Sequence, residues 1–211
     1  MGQEPVQGRK MRTHKERMEN SAIQVVLSGE SACFPRPEFY RDEISYDVLT
    51  PSAARGVLDR VHWRPAIRWM IDSISVLRPV RFSEQALDLD CGARARSISL
   101  RDVAYRIDAH FVMTSRAGAL DEPERHRGMF RQQIRKGASV YLGSAQHPGQ
   151  IRLLEDAVGL AECAPINETR DLGWMVHEAD YQDRGRLRFF RAQMVCGVIK
   201  IPLPGDARLF S

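Results

Sequence analysis

Between residues 102 and 115 apolar side chains fall at alternate positions. Val103, Tyr105, Ile107, Ala109, Phe111 and Met113 share one face, which predicts a strand with one buried side. An earlier segment, "SAIQVVLSGESACF" at 21–34, is also β-rich and runs into the proline-containing loop "FPRPEF". The period changes after Thr50. Ala54, Val57, Leu58 and Val61 recur at helical spacing, with Thr50 placed to cap the helix and Pro51 at its first position. Pro65 ends that helix, and "AIRWMIDSISVLRPVRF" (66–82) alternates as a long strand. Residues 83–99 show no period and mixed charge, which predicts a loop or short excursion. A second helix is expected over 121–137. Asp121 or Glu122 would cap it, Pro123 lies in its first turn, Gly137 stops it, and Met129, Phe130 and Ile134 form its buried stripe.

Strand, helix, strand, strand, helix is most of a ferredoxin-like β-α-β-β-α-β unit, the plan of RNA-recognition motifs. The missing strand is expected in "ASVYLGS" or close by. Beyond residue 150, "LGWMVHEADY" and "LRFFRAQMVCGVIKIP" read as strands separated by "QDRGR", and Gly197 implies a further turn. The expected class is therefore α+β. A disordered basic leader would occupy 1–20, a ferredoxin-like (RRM-like) domain 21–145, and a β-rich C-terminal domain 146–211.

No apolar run approaches the roughly 20 residues that span a bilayer, and the first 20 residues lack the apolar core of a secretory signal. Both observations place the protein in the cytoplasm, away from membranes. The formal charge of +4 is carried mostly by arginine, whose planar fork suits phosphates and guanine edges. That favours a polyanionic partner. Cys33, Cys91, Cys163 and Cys196 are widely spaced and form no CxxC pair, so they read as reduced thiols rather than metal ligands. The sequence holds no GxSxG, Walker loop, HExxH or GxGxxG. Asp88 and Asp90 have a common spacing with no second cluster to support a metal. No cofactor is expected.

Three places remain for chemistry. Tyr46 precedes a helix N-terminus and Arg55, which together suit a phosphate and its neighbouring hydroxyl; the plainer alternative is a packed tyrosine at a strand end. The 121–137 helix carries Arg125, His126, Arg127, Arg131, Arg135 and Lys136 after an acidic first turn. It reads either as a solvated face matched to the helix dipole or as a basic helix lying along RNA, with His126 able to titrate near neutral pH. His62, beside Trp63 at the end of the first helix, reads as packing.

The stretches "SGESACFPRPEF", "ISYDVLTPSAARGVLDRVHWRPAIRWMIDSISVLRPVRF", "LRDVAYRIDAHFVMT", "ETRDLGWMVHEADY" and "FFRAQMVCGVIKIP" together resemble CRISPR-associated proteins of the fifth Cas family, variant d, from type I-C (Dvulg) systems. The resemblance covers most of residues 22–202. It implies a ferredoxin-like N-terminal domain and a β-sheet C-terminal domain. It also implies a metal-independent endoribonuclease that cuts CRISPR repeat RNA and stays bound to the 5′ handle of the crRNA. The partners implied are the backbone and large subunits of the surveillance complex, with target DNA reached through the assembled complex. The family's tyrosine is assigned to Tyr46, its histidine to His126 and its lysine to Arg125. Arginine keeps the positive charge but is a poor proton donor or acceptor. Arg36, Arg55, Arg131, Arg135 and Lys136 are the candidates for RNA backbone contacts. A second reading is a non-catalytic subunit that only clasps the 5′ handle.

Overall fold

A computed structural model of the chain describes residues 22–39, 42–88, 94–155, 157–180 and 185–210. The leader expected over 1–20 lies outside them, as do Asp90 and Cys91. Ten strands form one sheet: β1 (Ile23–Ala32), β2 (Glu43–Ile44), β3 (Ile67–Val76), β4 (Phe82–Asp88), β5 (Arg94–Met113), β6 (Val140–Tyr141), β7 (Pro148–Leu153), β8 (Arg170–Asp180), β9 (Arg186–Val195) and β10 (Val198–Lys200). Among the described residues three helices accompany them: α1 (Pro51–Val61), α2 (Pro123–Arg135) and the short α3 (Ala157–Glu162). The strands lie in the order β6-β7-β1-β5-β3-β10-β9-β8, with β2 and β4 paired to the N-terminal part of β5. Every pairing except β2–β5 is antiparallel. The chain is thus a mixed α/β, strand-rich protein built on a curled antiparallel sheet.

The alternation of β5 sets which side is core. Val103, Tyr105, Ile107, Ala109 and Phe111 are buried on the side that meets the helices, because successive strand side chains point to opposite faces. On α1, Ala54, Val57, Leu58 and Val61 are buried against that face, and the Thr50 hydroxyl accepts the Ala53 N–H at 3.2 Å. Phe130 and Ile134 do the same work on α2. Trp69, fully buried on β3, stands edge-on to Phe111 (5.2 Å) and tilted against Phe130 (4.8 Å), so one indole joins two strands to α2.

One expectation changes. Residues 83–99 are no simple loop: β4 pairs with the first part of β5 as an antiparallel arm from Phe82↔Leu100 to Asp88↔Arg94. Phe82, Glu84, Gln85 and Ala86 are exposed. None of the described β4 side chains is buried, so that strand has no reason to alternate. The strand beside β1 is β7, "PGQIRL", close to "ASVYLGS", which itself supplies the two-residue β6.

At the other end, Cys196 (φ 48°) and Gly197 (φ 74°) both take left-handed backbone and close the β9–β10 hairpin.

Candidate active site where two helices end and begin

α1 stops at Val61, and His62 is its extended C-cap residue, its N–H donating to Leu58 O at 2.9 Å. The buried Trp69 Nε1 donates to the His62 carbonyl at 3.0 Å, so the cap backbone is fixed from below. α2 begins close by, with Glu122 as N-cap and Pro123 at its first position. His126 lies in that first turn, its ring edge-on to Phe111 at 6.2 Å. The two histidines meet: His62 Nε2 and His126 Nδ1 are 3.0 Å apart, with ring centroids at 5.3 Å. Both are buried.

One carboxylate faces the pair. Asp121 Oδ1 is 3.3 Å from His126 Nε2, an ion-pair distance whose angle falls short of a hydrogen bond. The other Asp121 oxygen accepts the Gly118 N–H at 2.9 Å, which holds the loop before α2. That N–H lowers the Asp121 carboxyl below its usual range, and His126 and Arg125 add to the effect. A proton on His126 Nε2 is favoured by Asp121. Nδ1 of His126 then accepts from His62 Nε2–H. His62 Nδ1 is left as a basic lone pair, with no hydrogen bond among the described residues. Burial pushes the His62 pKa down to about 4, with His126 and Arg64 adding repulsion. The neighbours in sequence of both histidines are exposed: Trp63 and Arg64 beside one, Arg125 beside the other. An anion arriving here would meet the Arg64 and Arg125 guanidinium groups near the imidazole pair.

Tyr46 lies elsewhere. It sits five residues before α1 begins, whereas His126 bonds to the residue that caps α1's end. The eleven residues of α1, a helix about 16 Å long, lie between Tyr46 and His62 in the chain. Tyr46 is 1% exposed, among the core side chains, with the Arg36 guanidinium 4.5 Å over its ring. Burial pushes its phenol above the ordinary range, Glu38 adds to this, and Arg36 opposes it. The Val176 main chain lies close, but the Tyr46 Oη gains no hydrogen bond of ordinary geometry. The structure joins His126 to His62 and buries Tyr46 among the core side chains.

The expected RNA-contacting cations also divide. Arg55 turns inward: its Nε donates to Trp69 O (3.1 Å) and its Nη1 to the buried Glu178 carboxylate (3.1 Å). Arg36 is held by Asp47 at 3.2 Å, and Arg131 and Arg135 share Glu155 at 3.2 and 3.0 Å. Lys136 is exposed at the end of α2. His62 is the residue that sequence reasoning passed over. Its partner is 64 positions away, and its one local signal, a histidine at a helix end, has a plain structural reading.

Among the described residues no cluster of three or more His, Cys, Asp or Glu side chains is arranged to hold a metal ion, and no helix is long and apolar enough to cross a membrane.

Comparison with known proteins gives one consistent answer. Residues 22–202 match the Cas5d-type profile of the family described as CRISPR-associated protein (Cas_Cas5). The chain is 37% identical to the CRISPR pre-crRNA endoribonuclease Cas5d of Mannheimia succiniciproducens, over 85% of this chain and 94% of that one. It is 36% identical to the protein of the same name from Thermus thermophilus, over 60% of this chain and 61% of the relative. Two solved structures share the fold. One is a CRISPR-associated protein at 23% identity and TM-score 0.74, covering 90% of this chain and 96% of the other. The second is a functionally uncharacterized protein from Streptococcus mutans at 22% identity and TM-score 0.71, covering 90% and 97%.

Proposed function

The chain belongs to the Cas5d family of CRISPR-associated proteins, and from that premise we propose that it is an endoribonuclease that cuts CRISPR repeat RNA without a metal ion. The observation that carries this reading is the buried His62–His126 contact beneath exposed Arg64 and Arg125. Burial keeps His62 unprotonated at neutral pH and so available as a proton acceptor, while its low pKa of about 4 makes it a weak base.

In this mechanism the 2′-hydroxyl of the RNA is the nucleophile. Its oxygen bonds to the adjacent phosphorus while the bond from phosphorus to the 5′ oxygen breaks. His62 Nδ1 accepts the hydroxyl proton. The imidazolium charge spreads over the pair and faces Asp121. The same proton returns to the departing 5′ oxygen, which restores the site. The products are a 2′,3′-cyclic phosphate and a 5′-hydroxyl. Arg125 and Arg64 stabilise charge on the crowded phosphorane. His62 thus takes the role assigned by resemblance to Tyr46, and Arg125 the charge of the family's lysine. Lys136 extends the basic surface along α2 for backbone contacts.

We further read β1, β3, β5 and β7 with α1 and α2 as a ferredoxin-like unit, since β7-β1-β5-β3 is the 4-1-3-2 order of that fold. Its boundary then moves from residue 145 past Leu153, and β8–β10 form the β-rich C-terminal part. Retention of the 5′ handle and a place in the type I-C surveillance complex, in the cytoplasm, complete the proposal.

The test is cleavage of the cognate repeat RNA in EDTA beside the same RNA with one 2′-deoxy substitution at the cut site. Cutting in EDTA of the all-ribose RNA alone is expected. A metal requirement, or cutting of the deoxy RNA, sinks the mechanism. Tight binding with no cutting between about pH 6 and 9 leaves the protein a handle-binding subunit.

A further inference from the structure

The face of the sheet opposite α1 and α2 carries a second feature with its own chemistry. Arg106 and Asp108 alternate with the core residues of β5 and so point away from the helices. Together with β3, β9, β10 and the returning C-terminal segment they line an open cleft of about 890 Å³. Four cations line it, Arg106, Arg191, Lys200 and Arg208, against one carboxylate, Asp108.

These cations are incompletely used. Arg106 Nε is buried without a hydrogen-bond partner, and its nearest carboxylate oxygen, on Asp108, is 3.7 Å away. Lys200 makes no ion pair among the described residues. Arg191 and Arg208 are steadied from outside the cleft by Asp171 and Asp206, each at 2.6 Å. Such exposed pairs are weak and yield readily to a stronger anion.

Phe210 is held at the rim by paired main-chain hydrogen bonds with Phe189 (2.7 and 2.8 Å). Trp174 stands edge-on to it at 5.2 Å. Both rings are about half exposed, 51% for Trp174 and 55% for Phe210. Large aromatic faces left in solvent beside arginines are what a single strand needs: rings for base stacking and guanidinium groups for phosphates. Duplex RNA keeps its bases stacked inside and presents no free base to such rings.

We propose that this cleft binds a short single-stranded segment of the RNA, with bases on Trp174 and Phe210 and phosphates on Arg106, Arg191, Lys200 and Arg208. The inference rests on the RNA-processing reading above, but it concerns a different face of the protein. The reacting phosphate sits at the His62–His126 end of the helices, while an unpaired flank of the same RNA lies across the back of the sheet.

The experiment is fluorescence anisotropy with a labelled single-stranded RNA copied from the repeat, and with the same sequence as a duplex. It is done in full-length His126→Ala protein so that the probe stays intact. Trp174→Ala should weaken single-strand binding by roughly tenfold or more, with little effect on the duplex. Arg191→Ala with Arg208→Ala should lower the slope of log affinity against log salt by about 1.4, the value for two lost single-strand phosphate contacts. All three residues are exposed or rim positions; unchanged thermal unfolding checks that the fold is kept. Wild-type-like affinity and salt slope in folded variants overturns the cleft. So does normal RNA binding with failure to join the other subunits, which makes the cleft a protein seat. If the protein with its cleft intact binds the duplex but no single strand, the cleft is overturned; if it binds neither, the RNA reading itself falls. Because the readout is affinity, an error in the catalytic assignment leaves the result interpretable.

Discussion

His62 Nε2 lies 3.0 Å from His126 Nδ1 and thereby joins the C-cap of one helix to the first turn of another. Neither position is free to drift. Trp69 Nε1 holds the His62 carbonyl, and Phe111 and Phe130 pack around the start of α2. The pair therefore has the preorganisation that proton transfer requires.

Removing either imidazole should stop the chemistry and spare the binding. His126→Ala and His62→Ala are each expected to slow cutting by about 10²–10⁴-fold, the usual worth of a positioned acid–base group. RNA affinity should change little, because Arg64 and Arg125 remain. Single-turnover cleavage with a filter-binding control reads both. A His62→Ala protein that cuts at the normal rate removes His62 from the mechanism, and a Tyr46→Phe protein that fails to cut while remaining stable restores the tyrosine.

The same pair predicts an acid-labile interval. The folded His62 pKa of about 4 lies below its ordinary 6.5, so the unfolded chain binds this proton first as pH falls. Stability from unprotonated His62 is complete above about pH 6.5 and is lost progressively down to about pH 4. The full loss is on the order of 3 kcal/mol. His147 and His177 are also lowered, chiefly by burial, and contribute in the same sense as pH falls. The comparison that isolates His62 is the difference between wild type and His62→Gln in urea unfolding at pH 7.5 and pH 5. The variant should show the shallower dependence.

What the sequence revealed follows from where order is imposed locally. α1 was legible because Thr50, Pro51 and the Ala54–Val61 spacing all act within one helix. The core face of β5 was legible because burial enforces its alternation. β4 was not, because none of its described side chains is buried to enforce a period. β7 was hidden by Pro148 and Gly149, which usually mark loops. At the site, His126 stood out in a basic helix start, whereas His62 gains meaning only through a contact across 64 residues. Tyr46 drew attention by lying near Arg55 in the chain, but Arg55 points to Glu178 and the phenol to the core.

Arg55 is accordingly predicted to matter for stability and not for RNA. Glu178 is buried. Burial pushes its carboxyl up, and Arg55 and Arg68 together outweigh that and hold it below the ordinary range. Its Oε2 accepts from Arg55 at 3.1 Å and from Arg68 at 2.6 Å, tying α1 to β8. Arg55→Ala should cost about 1–2 kcal/mol, less than leaving a buried charge wholly unpaired, because Arg68 stays on the same Glu178 oxygen, with RNA affinity unchanged. Denaturant unfolding and anisotropy separate the two outcomes; a loss of affinity without a loss of stability returns Arg55 to the RNA surface.

Two glycines give a sharper test of how the end of β1 is held. Gly143 has φ +104°, and a Cβ built there would lie 1.6 Å from the Cys33 carbonyl oxygen. That oxygen belongs to main chain already clamped, since the Cys33 N–H donates to Leu142 O at 3.0 Å and the Leu142 N–H to His147 O at 2.8 Å. No rotamer relieves such a clash, so Gly143→Ala must displace the turn from β1. Gly137 also has positive φ (+82°), but a Cβ there meets nothing within 4 Å. Gly137→Ala therefore pays only the left-handed backbone cost of about 1–2 kcal/mol, or roughly 2–8 °C in Tm for a chain of this size. Gly143→Ala should fall well beyond that. Equal shifts in thermal unfolding would mean that the 142–147 turn yields freely and does not anchor the strand.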